Sequence, residues 1–478
     1  MPEVDLLAIT RGHVSAPAGY GKTQLIVDNL KAHDAEKPVL ILTHTNAGVA
    51  ALRKRLGEQG VPTRSYVLQT LDGWALRLLN AYPKRSGIES QHLAIAAPAR
   101  DYPAIQVAAR DLVAGGEIDT IIQGSYSRLL VDEYQDCSTV QHEMVAACAG
   151  LLPTVVLGDQ MQSVFGFAGR RVDWEELPTA FPEQHALTTP WRWHKAGAPK
   201  IGSWLADARE ALCNGEPIDL NAVPEGVIYA PVPSSANMAR EERKTIARLR
   251  QHGRVLIIGR SSKEASIDAA RRHNFARRNP GVTVVEAVEL RRMMAFFGQL
   301  DLRNKPLQAI RACAALAHDV MTKAPAGQKF HDRIQRIQTK GIGRYTISAA
   351  DQAALDLLAS PSYQAVSRLL TAWRESSGAR VFRPTIYDAT QRALSRASSG
   401  DHLGALSAAR AERDARRYQE RTAGQTAIGT ALLLKGLEAD ACLIMDAHTL
   451  DRHQLYVALT RGAKAIHIWS DSPILNPG

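Results

Sequence analysis

Short runs of β-branched residues and leucine recur along the chain, and most of them end in small or polar residues. The runs are His13–Ser15, Pro38–Thr43, Arg128–Val131, Thr154–Gly158, Val255–Gly259, Ala441–Asp446 and Ala465–Ser470. Continuous apolar runs of this length are typical of strands buried on both faces of a parallel sheet. Segments with helical spacing, such as Gln24–Ala32 and Asn46–Leu56, lie between several of them. The alternation predicts a doubly wound α/β fold that binds ligands at the carboxyl ends of its strands.

The strand-like runs form two groups, one within residues 1–190 and one around residues 250–260 and 425–470. Between the parts of the second group, at about 285–420, the chain is rich in Ala, Leu, Arg and Gln, and its pattern predicts helices. Within this region, residues 291–346 carry 11 Lys and Arg against 3 Asp, which is +8 of the chain's net +10. Such an excess favours a polyanion such as nucleic acid as partner, but a solvated helical face would have a similar sequence.

Composition excludes several classes of protein. With 478 residues, 45% of them hydrophobic and 22% charged, the chain has the make-up of a globular protein of about three domains rather than a disordered one. Its five cysteines show no C-x-x-C spacing, which argues against a disulfide scaffold or zinc ribbon and fits the reducing cytoplasm. The first residues lack the pattern of a signal peptide, and no run of about 18 apolar residues predicts a membrane span. We therefore expect a cytoplasmic protein.

Residues 16–23 have the sequence Ala-Pro-Ala-Gly-Tyr-Gly-Lys-Thr, follow a predicted strand and open a predicted helix. This is the context of a phosphate-binding loop, in which small residues let backbone N–H groups surround the phosphates. Lys22 supplies a positive charge, and the hydroxyl of Thr23 is suited to Mg²⁺. The sequence predicts that nucleotide binds to Ala16, Pro17, Ala18, Gly19, Tyr20, Gly21, Lys22 and Thr23.

Two carboxylates follow the apolar run Leu129–Val131, in the sequence Asp132-Glu133-Tyr-Gln-Asp. Adjacent carboxylates at the end of a strand are what a nucleoside triphosphatase needs opposite its phosphate loop. Asp132 is suited to hold Mg²⁺, directly or through water, and Glu133 to orient and deprotonate the attacking water. A solvated acidic turn is the weaker interpretation, because the preceding strand is fully apolar.

Another strand-like run ends in Gly158-Asp159 and is followed by Gln162, Phe165 and Phe167. The amide of Gln162 is placed to sense a γ-phosphate. The two phenylalanines alternate in a polar loop, where aromatic faces commonly stack on the bases of single-stranded nucleic acid. Packing in the core is the competing interpretation of these two residues.

In this order, the segments resemble the UvrD/Rep-type helicases of superfamily 1. Residues 43–47 (Thr-His-Thr-Asn-Ala) are similar to a DNA-contacting motif of that family, and residues 70–74 (Thr-Leu-Asp-Gly-Trp) to the next one, with Asp72 where a histidine is usual. The phenylalanines stand at base-stacking positions normally held by Tyr and Trp. The resemblance implies DNA contacts for Thr45, Asn46, Thr70, Asp72, Phe165 and Phe167, and it places Gln24 beside the nucleotide.

The resemblance continues in the second half of the chain. Residues 187–192 (Leu-Thr-Thr-Pro-Trp-Arg) are similar to the family's fourth motif, which implies that Trp191 stacks on adenine and that Arg192 reaches the γ-phosphate. Residues 455–461 (Leu-Tyr-Val-Ala-Leu-Thr-Arg) resemble the sixth motif and make Arg461 a second arginine finger, which stabilises transition-state charge. Thr430 and residues 435–438 (Lys-Gly-Leu-Glu) resemble the fifth motif, which implies a ribose contact for Glu438 and DNA contacts for Thr430 and Lys435.

The resemblance implies two RecA-like P-loop NTPase domains with a helical accessory insertion in the second. The expected boundaries are 1–190 for the first domain, with a small insertion at about 80–125, 191–285 and 421–478 for the second, and 286–420 for the basic insertion. The catalytic residues that it implies are Glu133, Gln162, Arg192 and Arg461, and the cofactors are ATP and Mg²⁺.

The function implied is that of a translocase or helicase on single-stranded or tailed DNA, moving 3′-to-5′ by family analogy, in repair, replication or defence. An alternative is a DNA-sensing ATPase subunit that unwinds little and regulates a partner nuclease. The compact chain and its Asp72-Gly73 are similar to the UvrD-like subunit of Gabija-type antiphage systems, whose partner is an OLD-type nuclease. A P-loop ATPase without a nucleic-acid role is disfavoured by the DNA motifs. A metal site formed by Asp446, His448, Asp451 and His453 is disfavoured by their spacing.

Overall fold

The computed structural model describes residues 3–33, 36–93, 95, 98–164, 171–260, 265–287, 290–302, 304–343, 346–398, 404–416 and 424–477. The chain divides into two compact units. The first comprises Met1–Tyr229, Leu450–Ile466 and Ser472–Gly478, and the second comprises Ala230–Thr449 and His467–Asp471. The finer division into two RecA-like domains and an insertion stays a prediction.

The strands and helices of the described residues have the following bounds. The strands are β1 (Arg11–Ser15), β2 (Val39–Thr43), β3 (Tyr66–Thr70), β4 (Arg128–Val131), β5 (Thr154–Gly158), β6 (Glu183–Ala186), β7 (Ile218–Asp219), β8 (Val227–Ala230), β9 (Val255–Ile258), β10 (Val282–Val284), β11 (Thr426–Gly429), β12 (Ala439–Ile444), β13 (Gly462–Trp469) and β14 (Ile474–Leu475). The helices are α1 (Lys22–Lys31), α2 (Asn46–Glu58), α3 (Leu71–Ala81), α4 (Pro83–Ser86), α5 (Ser90–Leu93), α6 (Pro98–Ala114), α7 (Asp119–Ser125), α8 (Thr139–Cys148), α9 (Leu177–Ala180), α10 (Trp191–Lys195), α11 (Pro199–Asn214), α12 (Met238–Arg250), α13 (Ala265–Arg278), α14 (Arg291–Gly298), α15 (Pro306–Val320), α16 (Gly327–Lys340), α17 (Ala349–Ala359), α18 (Tyr363–Arg374), α19 (Pro384–Ser398), α20 (Ala405–Arg416), α21 (Ala431–Leu434) and α22 (Arg452–Leu459).

The first sheet has six strands within the described residues, in the order β3-β2-β4-β5-β1-β6, and its neighbouring strands run parallel. All residues of β2 and β5 are buried, as expected for strands covered on both faces. Because β1, β4 and β5 are parallel, the loops that follow Ser15, Val131 and Gly158 leave the same edge of the sheet. This edge carries the candidate site.

The second sheet also has six strands where the chain is described, in the order β10-β11-β9-β12-β13-β8. Strand β9 lies between β11 and β12 and runs parallel to both, with Leu256 opposite Ala427 and Cys442. A small antiparallel pair is formed by β7 and β14. The predicted α/β class, with two parallel sheets and a helical region between parts of the second, is confirmed.

The helical region of the second unit, α14 to α20, has an apolar core of its own. Helix α16 contributes Phe330, Ile334 and Ile337, which are buried and lie three to four residues apart on one face of the helix. Helix α17 begins at a capping box, in which Ser348 and Asp351 satisfy each other's backbone N–H groups. Among the residues that the structure describes, no helix combines the length and apolarity that crossing a bilayer requires.

Replacing Ile334 with alanine tests the importance of this core. Ile334 is 0% exposed, whereas Ile342, just beyond the same helix, is 50% exposed. We expect I334A to lower the free energy of unfolding by about 2–5 kcal/mol, because it removes buried methyl groups and leaves a cavity. The matched variant I342A should change it by no more than about 0.5 kcal/mol. Urea denaturation followed by circular dichroism makes the comparison, and equal effects would contradict the assignment of this core.

Candidate functional site

The loop between β1 and α1 adopts left-handed backbone conformations at two glycines. The φ angle is +81° at Gly19 and +90° at Gly21, a region that glycine adopts at little cost. A Cβ atom at Gly19 would lie 2.7 Å from the Trp193 ring, and one at Gly21 would lie 3.1 Å from the Trp191 ring. Both glycines therefore let a tryptophan ring pack against the loop, which lies at the N-terminus of α1, a position where helices commonly bind phosphate.

Lys22, the first residue of α1, lies between two carboxylates. Its Nζ atom is 2.6 Å from Oε1 of Glu133 and 3.3 Å from Oδ1 of Asp132. Burial alone would lower the pKa of Lys22, but the attraction of both carboxylates raises the pKa above its ordinary value, so the amine stays charged. Burial raises the pKa of Asp132, and so does the neighbouring charge of Glu133. The ammonium group of Lys22 offsets these two effects only in part. The structure therefore brings these three predicted residues together.

Glu133 is fixed by its backbone and by a glutamine that the sequence left unassigned. Its φ angle is +57°, which is uncommon for a residue with a side chain and is often found at functional sites. Gln135 donates from Nε2 to Oε2 of Glu133 at 2.5 Å and accepts at Oε1 from the backbone N–H of Asp159 at 3.1 Å. Gln135 thus links the loop after β4 to the loop after β5.

Asp159 is a buried junction that the sequence did not predict as a site residue. Its Oδ2 atom accepts from the N–H of Ala18 at 3.2 Å and from Nε2 of Gln162 at 3.1 Å. Its Oδ1 atom accepts from Arg209 on α11, from Nε at 3.2 Å and from Nη2 at 2.9 Å. Burial would lower the pKa of Arg209, but the neighbouring Asp159 raises it, so the guanidinium stays charged. The pair ties the phosphate loop and Gln162 to α11.

The segment Leu450–Ile466 of the first unit also contacts this loop. Tyr456, on α22, is buried, and its hydroxyl accepts a second hydrogen bond from the N–H of Ala18, at 3.1 Å. Burial, with the nearby charge of Asp159, raises the pKa of Tyr456 well above its ordinary value, so the phenol stays protonated. The loop is therefore held from α11 and from α22.

The two predicted arginine fingers lie in the same cluster. The N–H of Arg192 donates to the carbonyl of Gly19 at 2.9 Å, and its Nη1 donates to the carbonyl of Thr460 at 2.6 Å. Arg461 is 2% exposed and donates from Nε to the carbonyl of Val457 and from Nη2 to the hydroxyl of Thr460, both at 2.8 Å. Both side chains thus bond to Thr460, and the backbone of Arg192 also contacts the loop at Gly19.

The remaining residues of the predicted nucleotide site surround the loop. Trp191 is 45% exposed, and its ring lies beside Gly21. Gln24 donates to Asp28 at 2.8 Å, and Thr23 is half-buried in the first turn of α1. Tyr20 is buried, which raises the pKa of its phenol. The backbone N–H of Ala16 donates to the carbonyl of Gly158, and the carbonyl of Pro17 accepts from Tyr20.

The predicted DNA-binding residues of the first unit lie at the carboxyl ends of β2 and β3, which are neighbours in the sheet. Thr45 and Thr70 cap α2 and α3, accepting from the N–H of the third residue along at 3.0 Å in each case. Asn46 is the first residue of α2. Asp72 accepts from the side-chain amides of Gln106, at 2.9 Å, and Gln141, at 2.8 Å. Phe165 and Phe167 lie outside the described residues.

The second unit holds the other predicted contacts. Thr430 caps α21, Lys435 ends this helix, and Glu438 is exposed just before β12. No group of three metal-ligating side chains occurs where the chain is described. His448 pairs with Asp471 at 3.3 Å in the second unit, whereas His453 lies in α22 of the first unit and contacts the carbonyl of Met161.

Comparison with known proteins gives one family match. The model of the UvrD/REP helicase N-terminal domain matches residues 99–174, the segment that contains Asp132, Glu133, Asp159 and Gln162. No curated protein matches the chain. Among solved structures, a complex of Arterivirus nonstructural protein 10 (helicase) with DNA is 13% identical, with 51% of this chain and 46% of that chain covered and a TM-score of 0.26. The matched part thus spans about half of that helicase. The likeness to the UvrD/REP helicase N-terminal domain is limited to the segment that holds these four residues.

Removing the guanidinium of Arg209 tests the buried junction. In R209L the carboxylate of Asp159 loses its ionic partner, so we expect the free energy of unfolding to fall by about 3–5 kcal/mol. The matched variant K200L lies on the same helix, and its partner Glu225 is largely exposed at 3.5 Å, so its effect should stay within about 0.5 kcal/mol. Chemical denaturation measures both variants. A loss in R209L no greater than that in K200L would contradict the role of the pair.

Proposed function

We propose that the protein is an ATP-dependent motor that moves along single-stranded DNA, with ATP hydrolysis at the edge of the first sheet. The observation that carries the proposal is the meeting of Lys22 with Asp132 and Glu133 at the glycine-containing loop before α1. A buried cation and two carboxylates at the N-terminus of a helix form a set of groups that fits a magnesium nucleotide. The family match to the segment that holds both carboxylates supports the same chemistry.

Each residue of the donor set has a separate task. Mg²⁺, when bound, neutralises developing phosphate charge; Thr23 and Asp132 are the residues that would hold it. Lys22 supplies a fixed positive charge to the terminal phosphates. Glu133 orients the attacking water and accepts its proton, and Gln135 holds the carboxylate of Glu133 in place.

The present pairing of Lys22 implies a rearrangement on nucleotide binding. Its ammonium group lies 2.6 Å from Glu133, so the two charges satisfy each other. A phosphate oxygen competes with Glu133 for Lys22 and is the stronger partner, because Lys22 can contact the phosphate while it remains close to Asp132. Glu133 then keeps its bond to Gln135 and becomes available as a general base. Nucleotide binding thus prepares the catalytic carboxylate.

The other contacts follow from the family resemblance and are part of the proposal. Trp191, which is partly exposed beside Gly21, would stack on adenine, and Glu438 would contact the ribose. Arg192 and Arg461 would turn from their protein partners to the γ-phosphate, and Gln162 would sense that phosphate through Asp159. DNA would contact Thr45, Asn46, Thr70, Asp72, Phe165, Phe167, Thr430 and Lys435, with movement in the 3′-to-5′ direction.

One observation favours the alternative of a DNA-sensing ATPase that regulates a nuclease. Asp72 stands where the family usually has a histidine, and Gln106 and Gln141 hold it as a hydrogen-bond acceptor. A carboxylate repels a DNA phosphate, whereas a histidine can donate to it. Weaker DNA binding at this position is compatible with sensing DNA but disfavours processive movement along it.

Replacing Glu133 with glutamine tests the catalytic assignment. E133Q keeps the shape of the side chain but removes the base, so DNA-stimulated ATP hydrolysis should fall by about 10²–10⁴-fold while ATP still binds. K22A should lose ATP binding as well, because its ammonium contacts the phosphates. The same substitution at the exposed Glu143 on α8 serves as the control and should leave the rate unchanged. Steady-state hydrolysis and nucleotide binding are measured together, and a normal rate in E133Q would refute the assignment.

Strand displacement separates the two functions. A motor should release the labelled strand of a duplex with a 3′ single-stranded tail in an ATP-dependent reaction, and it should be much less active on a 5′-tailed duplex. A DNA sensor should hydrolyse ATP faster with single-stranded DNA yet displace no strand. K22A supplies the control for contaminating helicases. A hydrolysis rate that does not respond to DNA would contradict both functions.

A further inference from the structure

A cavity of about 850 Å³ lies within the helical region of the second unit, bounded by α16, α17, α18 and the residues that precede α16. Its apolar lining includes Phe330 and Trp373, whose rings meet edge to face with centroids 4.9 Å apart, together with Ala349, Ala350 and Ala372. A volume of this size falls within the range of about 300–1,000 Å³ that small-molecule sites occupy. The cavity is far larger than a single inorganic phosphate requires.

The polar lining is predominantly cationic. Lys323, Lys329, Arg333 and Arg368 face two carboxylates, Asp351 and Glu375, so the lining carries a net charge of 4 − 2 = +2. Such a wall attracts an anion with more than one negative charge.

Asp351 does not compensate the other cations. Arg333 grips it with Nε and Nη2, both at 2.8 Å, and Ser348 donates to it from its N–H at 2.9 Å and its hydroxyl at 2.8 Å. Burial would raise the pKa of Asp351, but the hydrogen bonds from Arg333 and Ser348 together lower it, so the carboxylate is ionised and fully engaged. Its charge is compensated by Arg333 and by the hydrogen bonds from Ser348 at the start of α17.

Lys323, Lys329 and Arg368 are different. Within the described part of the chain, none of the three takes part in an ion pair or a side-chain hydrogen bond. Two ammonium groups and a guanidinium fork therefore line one cavity without a bound counter-charge. A guanidinium is especially suited to phosphate, which it contacts with two parallel hydrogen bonds.

We propose that this cavity binds a nucleoside phosphate. Its phosphate groups pair with Lys323, Lys329 and Arg368, and its base lies against the alanines and the edge of the aromatic pair. The apolar lining and the volume select a nucleotide over a bare phosphate. The proposal does not rest on ATP hydrolysis at Lys22, because every lining residue belongs to the helical region of the second unit.

The test is isothermal titration calorimetry of the full-length chain with ADP and with AMP. The variant K22A removes the cation of the phosphate loop, so the binding that remains reports the cavity. We expect K22A to retain one ADP site, and K22A/R368E to bind at least about tenfold more weakly, because a charge-assisted bond is replaced by repulsion. K22A/K329E should show a similar loss.

The matched control is K22A/K340E, since Lys340 is exposed on the same helix as Lys329 but lies outside the cavity lining. It should bind ADP as K22A does. The milder R368Q and thermal melting of every variant separate lost binding from lost folding. DNA-stimulated hydrolysis by R368Q on the Lys22 background should stay normal, which distinguishes failure of this proposal from failure of the proposed motor function.

Three results would overturn the proposal. The first is that K22A binds neither ADP nor AMP at millimolar concentration. The second is that K22A/R368E and K22A/K340E bind ADP equally well. The third is that a single-stranded oligonucleotide binds in a manner that depends on Arg368 while the free nucleotides do not, in which case the cavity is part of a nucleic-acid binding path.

Discussion

The candidate site depends on one ammonium group shared by two carboxylates. Lys22 approaches both Asp132 and Glu133 within a buried edge of the first sheet, so the local charge without a ligand is one negative unit. A buried charge that is only partly compensated is costly, and a cation that joins Asp132 relieves that cost. The same arrangement makes Glu133 the exchangeable partner, because it is less buried than Asp132 and has a second donor in Gln135. In the proposed mechanism, metal binding at Asp132 and the release of Glu133 as a base both follow from this electrostatic imbalance.

The neighbouring pair of Asp159 and Arg209 has the opposite character. It is balanced, and its carboxylate accepts hydrogen bonds from Ala18 and Gln162 as well as from the guanidinium. A satisfied buried pair is costly to break, so it is suited to hold the loop while the Lys22 pairing changes. In this proposal the Asp159–Arg209 pair holds the loop in place, while Lys22 exchanges its contact with Glu133 for one with the phosphate.

The sequence predicted the parts of this site that are local in the chain. Strands β2, β4 and β5 are almost wholly apolar because they are covered on both faces, so their runs were visible. Strands β3 and β6 form the edges of the sheet and carry polar or exposed residues, so they lack the continuous apolar run that predicts a buried strand. Lys22 and Glu133 lie in short motifs whose residue types and spacing indicate their chemical roles. Arg209 lies on an ordinary amphipathic helix, and only tertiary packing brings it to Asp159.

The charge of the helical region is a second feature that could be predicted from the sequence only in part. An excess of cations over residues 291–346 is visible in the sequence, but the pairing of these cations is not. In the structure Arg292 contacts Asp319 at 2.6 Å and Arg333 holds Asp351, so these guanidinium groups are engaged with the protein itself. Net charge counts paired and unpaired cations alike, whereas attraction for a polyanion or a nucleotide depends on those that lack a counter-charge. Lys323 and Lys329 line one cavity, where a compact anion can contact both cations at once.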